Sequence, residues 1–94
     1  MKITTKSGIQ IEIDERVIHD SEFVFLYADM QESKSVKSVS NLIDFLFGSR
    51  ENSKAFYAAI REKNDGICTQ EVLGRELVEI LEAMNAKNSS SSDT

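Results

Sequence analysis

The chain has 94 residues, 40% of them hydrophobic and 29% charged, with a formal net charge of −5. A chain of that size is one domain with one core, burying only about two-thirds of its unfolded surface, and its composition is that of a globular protein, not a disordered one. The single cysteine, Cys68, excludes an intrachain disulfide and a thiolate zinc site.

No apolar run approaches the roughly 20 residues that span a bilayer. The start, Met1-Lys2-Ile3-Thr4-Thr5-Lys6, alternates where a signal peptide would have an apolar core. The expectation is an intracellular protein with no membrane partner. Residues 48 to 68 carry four basic and three acidic side chains, and residues 69 to 84 one basic and four acidic. No basic face results, and phosphate-backbone binding needs one, so nucleic acid is not an expected partner.

In chain order, Ile3 and then Ile9, Ile11 and Ile13 alternate with Gln10, Glu12 and Asp14, the period-two signature of a strand. Lys6-Ser7-Gly8 supplies a turn with a glycine for positive φ, so residues 2–13 are predicted to form a hairpin pairing Lys2–Thr5 with Ile9–Ile13. A two-stranded ribbon needs something to dock on, and an open outer edge would be a site for self-association.

Glu15 to His19 reads as a connector anchored by Val17 and Ile18, and Asp20 as the N-cap of a helix over about 21–31. Phe23, Leu26, Tyr27 and Met30 form its stripe. Phe25 falls opposite, either meeting a partner or tucked under the hairpin. The spacing of Phe23, Phe25 and Tyr27 also fits a strand, but the run continues through Ala28 to Gln31, which favours helix. Gln31 to Ser35 is the polar loop that follows.

The second helix, about 35–47, is the most apolar stretch. Phe45, Leu42, Leu46, Val39, Ile43, Val36 and Phe47 cover about half of its wheel or slightly more at about 100° per residue, wider than a surface helix needs. It is therefore placed at the centre, with Gly48 as its left-handed terminator. Ser49 caps a third helix, about 50–63, whose stripe of Ala55, Phe56, Ala59 and Ile60 mixes large and small residues. Asn64-Asp65-Gly66 is a turn, and Thr69 caps a fourth helix, about 70–84, with Leu73, Leu77, Ile80, Leu81 and Met84 on one face. Gly74 inside that helix implies a close helix contact, because a glycine there costs about 1 kcal/mol relative to alanine. Residues 87–94, with Ser89-Ser90-Ser91-Ser92 inside them, are expected to be a flexible tail. The predicted fold is mainly α: a four-helix domain over residues 1–86 with an N-terminal β-hairpin, a minor α+β element, and a disordered C-terminal tail.

Chemical motifs are absent. Placing Gly66 at the invariant glycine of a calcium-binding loop puts Arg61, Lys63, Asp65 and Val72 at ligand positions, and three of the four cannot ligate. A helix-turn-helix would use the acidic fourth helix for recognition and meet phosphate with repulsion. His19 stands alone in a connector, Cys68 has no orienting group or oxyanion site that the sequence reveals, and Ser7-Gly8 lacks a phosphate loop's continuation. The chain is expected to be non-enzymatic, with no cofactor and no metal. The spare apolar residues Val24, Phe25 and Val78 are the candidate partner-binding positions, suited to an amphipathic helix in a groove or to ordinary partial exposure.

Several stretches carry a resemblance in order and spacing: Met1-Lys2-Ile3 and Ile11-Glu12-Ile13-Asp14-Glu15-Arg16-Val17-Ile18, Asp20-Ser21-Glu22-Phe23, Leu46-Phe47-Gly48-Ser49-Arg50-Glu51, and Arg61-Glu62-Lys63-Asn64-Asp65-Gly66 leading into Glu71 to Ala83. Over roughly residues 1–86 the chain resembles the tail assembly chaperones of phages and prophages with long non-contractile tails. That family often has Trp where this chain has Ser21. The resemblance implies a chaperone that binds the tape measure protein, keeps it soluble during tail morphogenesis in the cytoplasm of the bacterial host, and helps recruit the tail tube protein. It also implies a longer frameshifted product starting near the Ser-rich tail, while the residues themselves leave self-association through the helices or the hairpin edge as a further option. The alternative is a small acidic phage regulatory or adaptor protein that binds a host protein.

Overall fold

The computed structural model describes the backbone of residues 1–33 and 35–92, and side chains as far as Ala86. Two short strands, β1 (Lys2–Thr4) and β2 (Gln10–Glu12), are followed by a 3-10 turn (Glu15–His19) and four helices, α1 (Ser21–Ser33), α2 (Val36–Phe47), α3 (Arg50–Lys63) and α4 (Gln70–Ser92). The fold is the expected mainly α domain with an N-terminal hairpin.

The strands pair antiparallel with Ile3 opposite Ile11. The ladder continues past the strand ends, from Thr5 N–H to Ile9 O at 2.9 Å and from Ile13 N–H to Met1 O at 2.9 Å. The three-residue loop between Thr5 and Ile9 closes with Gly8 N–H on Thr5 O, and Gly8 takes φ 93°, a left-handed conformation that a Cβ would disfavour.

Capping sets the helix boundaries. Asp20 Oδ1 accepts from Glu22 N–H at 2.8 Å, Ser35 Oγ from Ser38 N–H, Ser49 Oγ from Asn52 N–H and Thr69 Oγ1 from Val72 N–H, each at 3.1 Å. Each satisfies one of the donors that a helix start leaves free. Gly48, at φ 90°, ends α2 as expected.

The core joins one layer of the hairpin to the helices. Ile3, Ile9 and Ile13 meet Leu42, Ile43 and Leu46 of α2, Phe56 and Ile60 of α3, and Leu77, Ile80 and Met84 of α4, all buried. Burying each such aliphatic side chain contributes about 1.5–3 kcal/mol. Helix α2 is the shared neighbour: α1, α3 and α4 all pack on it. The rings of Phe47 and Phe56 lie 4.9 Å apart where α2 meets α3, and Arg50 Nε donates to Asp44 Oδ2 at 2.7 Å across the same junction.

The structure corrects four details. Val36 is 62% exposed, so the apolar band of α2 is narrower than its wheel implies; burial begins at Ser38, because the packing helices meet α2 beyond its first residue. Gly74 has open space, with nothing within 4 Å of a Cβ built there; it lies one turn before Val78, on a side of α4 that no helix approaches closely. Helix α1 runs two residues past its expected end at Gln31, into the polar stretch expected to be loop, and the backbone of α4 continues to Ser92, past the expected end near Met84. Nothing between Asn85 and Ser92 is Gly or Pro, the residues that interrupt a helix most strongly. The tail expected to be flexible falls here: the side chains of residues 87–92 and all of residues 93–94 lie outside the described residues.

One buried polar residue does not follow from the helical pattern. Glu76 of α4 is 2% exposed and lies beneath the hairpin turn, where Ser7 Oγ donates to its carboxylate at 3.0 Å. Lys6 N–H donates to the neighbouring Glu79 Oε2 at 3.3 Å. These contacts fasten the hairpin turn to α4.

Candidate functional site: a groove between the first and last helices

Helix α1 packs on α2 and on the 3-10 turn, whereas α4 packs on α2 and α3. Both therefore flank α2, and a groove of about 570 Å³ lies between them. Ile18 of the 3-10 turn with Phe23, Tyr27 and Met30 of α1 form one wall, and Val78, Leu81 and Met84 of α4 form the other. Gln31, Glu82 and Asn85 supply the polar lining.

The stripe of α1 makes this wall because it is only half used in packing. No residue of α1 is buried, although Phe23, Leu26 and Met30 rest partly against the core. Tyr27 is 37% exposed, and its ring stands 6.0 Å from that of Phe23. On α4 the main stripe faces the core, while Val78, Leu81, Glu82 and Asn85, at i, i+3, i+4 and i+7, form a second face that turns to the groove.

The candidate residues separate accordingly. Val78, 52% exposed, lines the groove. Val24, 56% exposed, shares a helix face with Tyr27 and Gln31 at i+3 and i+7, so it continues the outer rim of the α1 wall. Phe25, 64% exposed, stands on the far side of α1 and is not under the hairpin. Sequence reading missed the pairing of α1 with the second face of α4. The signal available was the spacing of Val78, Leu81 and Asn85, which is too sparse to read as a stripe by itself.

Groups with reactive potential are scattered. His19 is exposed at the end of the 3-10 turn. Cys68 is half-buried ahead of α4, where burial pushes its thiol pKa up and Arg61 only partly opposes this; a nucleophilic thiol needs the reverse shift. Among the described residues no group of three or more His, Cys, Asp or Glu is gathered as metal ligands, and no helix is long and apolar enough to cross a membrane.

Compared with family models, curated proteins and solved structures, the chain matches none. Fold and groove together define a small helical domain that presents a mostly apolar cleft, with Gln31, Glu82 and Asn85 as its polar lining residues.

Proposed function

We propose that the chain is a non-catalytic phage tail assembly chaperone, which holds an amphipathic helix of the tape measure protein in the α1–α4 groove and keeps that client soluble in the bacterial cytoplasm during tail morphogenesis. The observation that carries the protein-binding part is the groove itself: Phe23, Tyr27, Met30, Val78, Leu81 and Met84 line one open cleft between two helices. Two antiparallel or parallel walls at helical pitch accept the i, i+3, i+4, i+7 stripe of a third helix, which would bury the half-exposed stripe of α1. The assignment to tail assembly rests on the order of motifs along residues 1–86.

The test is co-expression of an apolar tape measure segment with the wild-type chain and with Val78→Asp. Val78 is half-exposed, so the charge leaves the core intact while placing an uncompensated carboxylate in the cleft. The segment is expected in the soluble fraction with the wild type and in the pellet with the variant. A segment that stays insoluble beside the wild type, or is rescued equally by Val78→Asp, overturns the reading.

A further inference from the structure

A second surface lies at the opposite end of the hairpin's role, on its free edge. In the β1–β2 ladder Met1 and Ile13 exchange both bonds, Thr5 N–H donates to Ile9 O while Ile9 N–H donates to Thr5 Oγ1, and by the alternation of an antiparallel ladder Ile3 pairs with Ile11 between them. The N–H and C=O groups of Gln10 and Glu12 therefore point away from β1. No backbone or side-chain partner among the described residues receives them. Both residues are exposed.

Beside this edge is a slot of about 250 Å³, bounded by residues 9–12 on one side and by Phe47, Asn52, Ala55, Phe56 and Ala59 on the other. Residues from both faces of β2 line it and none from β1 does, so the slot opens along the β2 edge. Its α3 wall carries two alanines where larger side chains would fill the space. Backbone donors and acceptors repeating every two residues are matched by an extended chain and not by a helix.

We infer that the β2 edge pairs with the β2 edge of a second copy of this chain, about a two-fold axis at Ile11, giving a four-stranded antiparallel sheet in the order β1-β2-β2-β1. The occupant is specified by self-complementarity. With Ile11 on the axis, Gln10 of each copy stands opposite Glu12 of the other, so each pair exchanges two backbone hydrogen bonds and sets an amide donor against a carboxylate. Lys2 already stands opposite Glu12 within each chain, so the exposed face reads Lys2, Glu12, Gln10, Thr4 across the four strands with no like charges adjacent. On the other face the two Ile11 side chains meet over the alanine wall of α3. Pairing two copies also enlarges a ribbon that is marginal as two strands. This contact is isologous and closes at two chains, and it stands apart from the client groove.

Sedimentation velocity of the full chain from about 1 μM to about 1 mM, the range of weak to moderate affinities, tests it. A monomer–dimer equilibrium is expected. Gln10→Glu, which places two carboxylates opposite one another twice, weakens the dimer by about 2- to 30-fold, and Gln10→Lys tightens it by a similar factor. Both changes are at an exposed position, and far-UV circular dichroism checks that the fold is kept. Amide exchange at Gln10 and Glu12 should slow as dimer forms, while Ile11, bonded within its own hairpin, is slow throughout. A monomer across the whole range, open-ended assembly, a dimer indifferent to the charge at position 10, or fast exchange at Gln10 and Glu12 in the dimer overturns the inference.

Discussion

The hydroxyl of Ser7 lies 3.0 Å from each carboxylate oxygen of Glu76, a residue 69 positions further along the chain. Ser7 belongs to the hairpin turn and Glu76 to the buried face of α4, so this contact, with the neighbouring one from Lys6 N–H to Glu79 Oε2, ties the start of the chain to its last helix. A hydroxyl has one proton and donates to one oxygen at a time.

Removing that proton should cost more than the bond is worth. Among the described residues Ser7 is the donor that the Glu76 carboxylate has, so Ser7→Ala leaves a buried acceptor unsatisfied, at about 1–3 kcal/mol or more for a charged group. Replacing both partners, as Ser7→Ala with Glu76→Leu, should recover most of the loss. Urea unfolding of the two single variants and the double variant gives the coupling directly, and additive losses would show that the contact is incidental.

Two glycines should respond in opposite senses. Gly74→Ala adds a methyl group where there is open space inside a helix and should stabilise by about 0.5–1 kcal/mol. Gly48→Ala forces a Cβ into φ 90° at the end of α2, and left-handed backbone costs a residue other than glycine roughly 1–2 kcal/mol. Thermal unfolding should move up for the first and down for the second.

Within α2 the cost of truncation should follow burial and not hydrophobicity. Leu42 and Ile43 are 0% exposed, so Leu42→Ala should destabilise by about 2–5 kcal/mol and Ile43→Val by about 0.5–1.5 kcal/mol. Val36→Ala, at an exposed position, should stay within about 0.5 kcal/mol of wild type. Guanidinium unfolding midpoints at constant slope would distinguish the three.

The 3-10 turn should show a pH dependence set by Asp14. Hydrogen bonds from the Arg16 guanidinium and from Arg16 N–H hold its carboxyl below the ordinary 3.8, at about 2. A lowered native pKa contributes stability that is complete above the unfolded value and is lost as pH falls through the native one, so the window runs from about pH 4 to pH 2. Carboxyl-detected NMR titration should place the Asp14 midpoint at about 2, and Arg16→Ala should return it towards 3.8.

The local elements of this protein are written in its sequence because each depends on near neighbours. Alternating isoleucines made the hairpin, Asp20, Ser49 and Thr69 placed three helix starts, and Gly48 placed one helix end; φ preferences and caps act over one turn of chain. The stripes of α3 and α4 likewise named Phe56, Ile60, Leu77, Ile80 and Met84 as core residues, since period alone says which residues share a face.

Tertiary structure decided what covers each face. The wheel of α2 counts Val36 with Leu42 and Ile43, but only the position of the packing helices leaves the first in water and the other two dry. Gly74 reads locally as the mark of a close contact, and the arrangement of α1 and α4 leaves it facing open space instead. Nothing in the helical period marks Glu76 for burial, and the docking of a turn 69 residues away buries it. The groove has the same origin: two walls far apart in the chain become one site only because α2 stands between them and holds them at a distance, a relation that no periodicity encodes.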